Sequence, residues 1–290
     1  MLLSTQTDVF GNLYGDIEAV KLIAKAGFDA YDMSFFRMSA DENYVLNTDK
    51  YLEFAKELRA AADEAGIVCN QAHAPFPTYL GEPKYDEDVF NKIVRSMEVA
   101  AVLGAKNIVV HPVHHVYYWD NIELIKKTNK EFYAKLLPYA EQFGINIATE
   151  NMWHRHKETN LITHSACASP SEFCEYIDMM NSPYMVGCLD VGHVALVDEN
   201  MTEMIHTLGK DRLKALHIHD NDLVADSHTA PFTLKIDFHE ITKALKDIGY
   251  EGDFTFEADN FFKTMPDELK FDALCYLEKI GRQLIKEIEE

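Results

Sequence analysis

Four residues at the ends of short apolar runs carry groups able to act together: Glu150, Asp190, His217 and Glu257. Their runs are Ile145-Asn-Ile-Ala-Thr-Glu-Asn, Val186-Gly-Cys-Leu-Asp-Val-Gly-His, Leu213-Lys-Ala-Leu-His-Ile-His-Asp and Asp253-Phe-Thr-Phe-Glu-Ala-Asp. Three carboxylates sharing a low-dielectric funnel repel one another unless a cation neutralises them. A mixed Glu/Asp/His shell suits a divalent ion such as Mn, Co, Mg or Zn better than a thiolate-seeking one. Glu150 and Glu257 also form a natural acid/base pair. One removes a proton from carbon next to a carbonyl, and the other returns a proton at the same carbon from the opposite face or at the neighbouring carbon.

Strands must position these groups, because side chains along a strand alternate between its two faces. Counting back from the ends places His217 with His219, Glu257 with Thr255, Asp190 with Cys188, His111 with Val109 and His73 with Gln71. In each pair the polar residue falls on one face at the C-terminal end of its run. Elements alternate along the whole chain. Strands are predicted at Leu2–Thr7, Phe28–Ser34, Ile67–His73 and Lys106–His111, then at the four runs above. Between them lie helices that stop at Gly27, Gly66, Gly104 and Gly144. Asp16 is expected to cap the first helix, Ser169-Pro170 to open a later one, and Pro266 to begin a terminal amphipathic helix. Residues 151–168 lack periodicity and read as an active-site loop. Eight strand–helix units predict one α/β domain over residues 1–290, a single (β/α)8 barrel, whose chemistry sits at the C-terminal mouth. No Gly-x-Gly-x-x-Gly favours an open doubly wound sheet.

Composition bounds the function. The chain has 290 residues, 27 Lys+Arg against 48 Asp+Glu and a net charge of −21. That field repels phosphate backbones, so nucleic acid is not an expected partner. No apolar run reaches the roughly 20 residues of a membrane span, and the start shows no basic, apolar signal segment. A cytoplasmic protein away from membranes is therefore expected. The five cysteines are odd in number and include no Cys-x-x-Cys pair; Cys69 and Cys188 read as buried thiols.

The segments Asn-Ile-Ala-Thr-Glu150-Asn, Leu-Asp190-Val-Gly-His193, His217-Ile-His-Asp-Asn-Asp…Asp226-Ser-His228 and Phe-Glu257 resemble the xylose isomerase-like barrel superfamily, closest to its sugar phosphate isomerase/epimerase group. The resemblance implies Glu150, Asp190, His217 and Glu257 as ligands of one divalent ion, with the two glutamates as acid/base catalysts. His193 would lie beside the substrate. The family's His-x-x-Asp/Glu pattern favours His217 over His219 as the ligand. The implied activity is isomerisation or epimerisation of a small sugar, keto-sugar or polyol derivative; related barrels often associate, so a homo-oligomer is possible, with the oligomeric state left open. A keto-polyol dehydratase on the same site is an alternative. The endonuclease IV branch offers another. Its zinc-dependent abasic-site chemistry takes nine ligands in the order His73, His111, Glu150, Asp190, His193, His217, Asp226, His228 and Glu257. Against it stand the −21 charge and the aromatic loops Pro75-Phe-Pro-Thr-Tyr and His114-His-Val-Tyr-Tyr-Trp119. Trp119, Trp153, Phe76 and Tyr117 are candidate pocket walls. His219, His73, His111, Asp226 and His228 are candidate substrate contacts.

Overall fold

Ten short strands, eleven α-helices and three short 3-10 helices make up the regular structure in a computed structural model that describes residues 1–290. The strands are β1 (Leu3–Gln6), β2 (Ala30–Ser34), β3 (Val68–His73), β4 (Asn107–Val109), β5 (Asn146–Glu150), β6 (Trp153–Arg155), β7 (Ile162–His164), β8 (Met185–Asp190), β9 (Leu213–His217) and β10 (Phe254–Phe256). Eight of them pair in parallel, in the order β10-β1-β2-β3-β4-β5-β8-β9. The sheet closes just past the end of β9. There the Ile218 N–H donates to the Thr255 carbonyl (2.9 Å) and the Glu257 N–H to the Ile218 carbonyl (3.1 Å). This closing contact brings His217 and Glu257 to adjacent positions on the rim. The result is a single (β/α)8 barrel.

Alternation divides the side chains between two environments. Outward residues such as Leu189, Leu216, Ile147 and Phe254 join a continuous core with the surrounding helices. Inward residues Val109, Ala148, Val186, Cys188 and Ala215 make a small separate apolar plug inside the barrel. Other interior positions are polar, and several of them pair with one another. Ser4 Oγ donates to Asn70 Oδ1 (2.8 Å), Asn70 Nδ2 to Thr255 Oγ1 (3.2 Å) and Gln71 Nε2 to Asp32 Oδ2 (2.9 Å). Polar groups taken from water in this way are costly unless paired, so the interior hydrogen bonds fix the strands beneath the mouth.

The helix stops at Gly27, Gly66, Gly104 and Gly144 fall where the sequence places them. At Gly104 the left-handed φ of 95° explains the residue, since a side chain there would be strained. Pro170 opens its helix, and the last helix, Asp267–Glu289, follows Pro266. Three segments differ from the expectation. Residues Asp8–Tyr14 form an extra helix. Asp16 lies inside the next helix instead of capping it, because Arg37 and the Tyr44 hydroxyl (2.7 Å) draw its carboxylate sideways. Residues 151–168 contain the antiparallel pair β6 and β7, with Trp153 opposite His164.

The last helix packs closely on the outer wall of the barrel at Gly281. A Cβ there would collide with the Leu3 side chain and lie 2.8 Å from Phe256 Cε2. Gly281→Val is expected to destabilise the protein by roughly 1–3 kcal/mol through overpacking. A lower urea midpoint with unchanged slope is the expected readout; an unchanged midpoint would show that the helix can retreat. No helix is long and apolar enough to cross a membrane.

Candidate metal centre

Each rim residue is set by its strand. Glu150 and Asp190 end β5 and β8, His217 ends β9, and Glu257 follows β10 directly. One ligand atom from each of the four lies within 4.8 Å of the others. Exposure is 1 % for Glu150, 0 % for Asp190 and His217, and 5 % for Glu257. His217 Nδ1 faces Glu257 Oε2 at 3.0 Å and Glu150 Oε1 at 3.3 Å. Neither His217 nitrogen has a hydrogen-bond partner of proper geometry, and neither does Glu150 Oε2. Glu257 is oriented from behind, where Gln6 Nε2 donates to its Oε1 at 2.7 Å.

Charge is balanced only in part. Burial would push the Glu150 carboxyl up, but the His217 and His111 imidazoles outweigh that and hold it well below the usual range. Glu257 is lowered in the same way, with burial opposed mainly by His217. Burial would lower His217, yet the facing carboxylates of Glu257 and Glu150 help to hold it well above its usual value. Three buried carboxylates facing one imidazole, with orphaned donor atoms among them, are what a divalent cation would satisfy. The residues fit such an ion.

Two further groups flank this one. His73 and His111 approach Glu150 Oε2 at 3.7 and 3.2 Å, and their Nε2 atoms are 3.0 Å apart. His193, His219, Asp226 and His228 form a second cluster, also within 4.8 Å in ligand atoms. Asp226 Oδ2 lies 3.3 Å from His193 Nε2 in a hydrogen bond, and its Oδ1 lies 3.1 Å from His228 Nε2 as an ion pair. Burial opposes ionisation of Asp226, but these imidazoles pull its carboxyl far below normal. Burial likewise opposes His228, whose partner Asp226 still pushes it up to about 10. His193 bridges the clusters, with Nδ1 2.8 Å from the Asn151 carbonyl and 3.5 Å from Glu150 Oε1.

Above these groups opens a cavity of about 510 Å³. Phe36, Phe76, Pro77, Met152 and Trp153 give it an apolar side. Trp153 also donates its indole N–H to Asp226 Oδ2 at 3.1 Å. Trp119, in contrast, lies outside the cavity. It is 48 % exposed, and its indole N–H donates to Thr163 Oγ1 at 3.0 Å, bracing β7. Tyr117 stands beside His154 and His156 rather than on the cavity wall. His154 is on the wall, while His164 pairs with Glu199 at 2.7 Å.

Three residues were not singled out by the sequence. His114 and Asp259 line the cavity. Burial lowers His114 to about 3, so it stays neutral near pH 7. Burial and the Asp8 and Glu257 charges push Asp259 up to about 8. The third is Asp32, fully buried, with Oδ2 3.7 Å from His217 Nε2. A charged residue in the middle of the apolar run Phe28–Ser34 was its available signal. No lysine or arginine lines the cavity. Arg155 donates to the Asn160 carbonyl and Lys157 pairs with Asp120, both on the hairpin.

A barrel with a buried His/Glu/Asp cluster at its C-terminal mouth is one recognised class of catalytic scaffold. The sequence profile of the xylose isomerase-like TIM barrel matches residues 20–273, and the chain belongs to that family. An uncharacterised protein of Methanocaldococcus jannaschii is 26 % identical over 94 % of this chain and 89 % of its own. Fructoselysine 3-epimerase of Escherichia coli O157:H7 is 23 % identical over 66 % of each chain. Among solved structures, the IolI protein with a bound zinc atom superposes with a TM-score of 0.74 at 19 % identity. The match covers 99 % of this chain and 98 % of that one. At that identity the likeness speaks for the fold alone.

Proposed function

We propose that this protein is a divalent-metal-dependent isomerase or epimerase of a small sugar, keto-sugar or polyol derivative. The observation that carries the reading is the meeting of Glu150 and Glu257 with Asp190 and His217 in one buried group under the cavity. The similarity to fructoselysine 3-epimerase supports it. A Mn, Co, Mg or Zn ion held by these four residues would polarise a substrate carbonyl and orient the neighbouring oxygen. Glu150 and Glu257 do the proton work. One carboxylate takes the proton from carbon beside the carbonyl, and the other delivers a proton to the opposite face or to the adjacent carbon. Glu257 is held for this by Gln6, and Glu150 is backed by His111. Phe36, Phe76 and Trp153 would cover the apolar face of a sugar ring. With no lysine or arginine on the wall, and His193 and His228 already paired with Asp226, a neutral substrate fits better than a phosphorylated one.

The test is solvent exchange. In heavy water, with Mn, Co, Mg and Zn supplied in turn, deuterium is expected to enter carbon next to the carbonyl in at least one member of a ketose panel. Unlabelled substrate throughout would overturn the reading. A dehydratase on the same site would begin with the same proton removal but also release water, so its product would show a loss of mass.

A second reading has one observation in its favour. With the central group, the two flanking groups contain all nine residues that zinc-dependent phosphodiester cleavage would use, and His219 besides. It predicts more than one ion per chain and incision of abasic duplex DNA. A metal content near one per chain, with no incision, removes it.

A further inference from the structure

We infer that His219 is the positioning residue of the candidate ligand Asp190, clamped in place by Gly192 and the loop after β9; the inference rests on the metal-dependent reading above. His219 is fully buried, and its Nε2 lies 3.0 and 3.1 Å from the two oxygens of Asp190. Asp190 Oδ1 also accepts the His193 backbone N–H at 2.7 Å, as the cap of the short helix Val191–Leu196. The carboxylate is therefore gripped from two directions and cannot turn freely. Groups that hold a ligand in this way fix its orientation and raise its affinity for the ion.

Three contacts keep the imidazole where it is. Its ring stacks on His228 with centroids 3.9 Å apart and planes within 9°. Gly192 packs directly against the ring. A Cβ there would overlap the imidazole, with Nδ1 at 2.7 Å. Asn221 Nδ2 donates to the Gly192 carbonyl at 2.9 Å, which holds that backbone close. Just past His219, the Asp220 carboxylate accepts the backbone N–H groups of Leu234 (2.6 Å), Lys235 (3.0 Å) and Ile236 (3.0 Å). The loop is thus fastened at both ends around the ring. His219 shares the inward face with His217, yet it points at Asp190, whereas His217 points at the two glutamates. The two histidines of this strand end divide the work between direct ligation and orientation.

The test measures ion affinity by competition with a chromophoric chelator, using Mn and Zn separately on the full-length protein. His219→Ala is expected to weaken binding by about 10–100-fold. His219→Gln, which can place an amide N–H near the position of Nε2, is expected to recover most of that loss. Gly192→Ala is expected to weaken binding too, by displacing the ring. The Gly192→Ala/His219→Ala double variant should be no weaker than His219→Ala alone, because the two act through one contact. Affinity within twofold of the parent for His219→Ala would overturn the inference. So would loss of one ion from several with the affinity of the remaining ion unchanged, which would make His219 a ligand itself. Asp190→Asn run alongside separates the two levels. If it too binds normally, the metal reading falls and this inference with it. If it binds weakly while His219→Ala does not, only the role of His219 falls.

Discussion

Glu150→Gln is expected to lower turnover by about 10²–10⁴-fold, the usual size of a lost general acid/base, and to reduce the bound metal as well. The residue occupies the centre of the site, within 3.7 Å of His73, His111, His193 and His217. Glutamine keeps its shape and removes its charge, so buried imidazoles that faced a carboxylate face an amide. Asp190→Asn supplies the contrast. It weakens the same metal group but leaves both glutamates in place, so excess metal is expected to restore much of its activity. Excess metal should not restore Glu150→Gln, whose missing base no ion replaces. Adding Glu257→Gln to Glu150→Gln is expected to cost little more, because residues acting as a unit lose their effect together. Activity, deuterium exchange and metal content measured on the same preparations check all three. Full exchange in Glu150→Gln would remove it from the reaction.

How far the sequence led depends on the range of the forces that shape each part. Rim residues were legible because a strand's two-residue period fixes the face of every side chain once one is placed, and a barrel turns that face inward. Helix ends were legible where a glycine marks a left-handed stop, as at Gly104. The helix Asp8–Tyr14 was not, since Gly11 and Asn12 are poor helix formers. It is held instead by packing, with Phe10 edge-on to Phe262 at 5.4 Å. Strands β6 and β7 have three residues each, too few to show a period. Trp119 shows a different limit. Its place in a rim loop was readable, but the direction of its ring is set by Thr163, 44 residues away. Asp32 and Asp259 reach the site from elements whose relation to it exists only once the barrel closes.

Stripping divalent cations from the folded protein is expected to lower its thermal midpoint by on the order of 10 °C. An ion present at about a thousand times its dissociation constant stabilises the native state by about 4 kcal/mol. For chains of 150–250 residues each kcal/mol corresponds to roughly 2–4 °C, and a 290-residue chain lies just beyond that range. The physical source is local. Glu150, Asp190 and Glu257 are all at most 5 % exposed, and only His217 among their four-member group can carry a compensating charge. With the cation removed, part of that repulsion returns and the strand ends carrying it are pushed apart. The drop should therefore shrink in Asp190→Asn, whose hold on the ion is already weakened, whereas Gly281→Val should keep it, because its damage is on the outer wall of the barrel, away from the ion. Scanning calorimetry before and after chelation, then after return of Mn, Co, Mg or Zn, reads the effect and ranks the ions. A midpoint indifferent to chelation in protein shown to be metal-free would mean that the histidines alone balance the three carboxylates. The acid/base pair would then have to work without an electrophile to polarise the carbonyl.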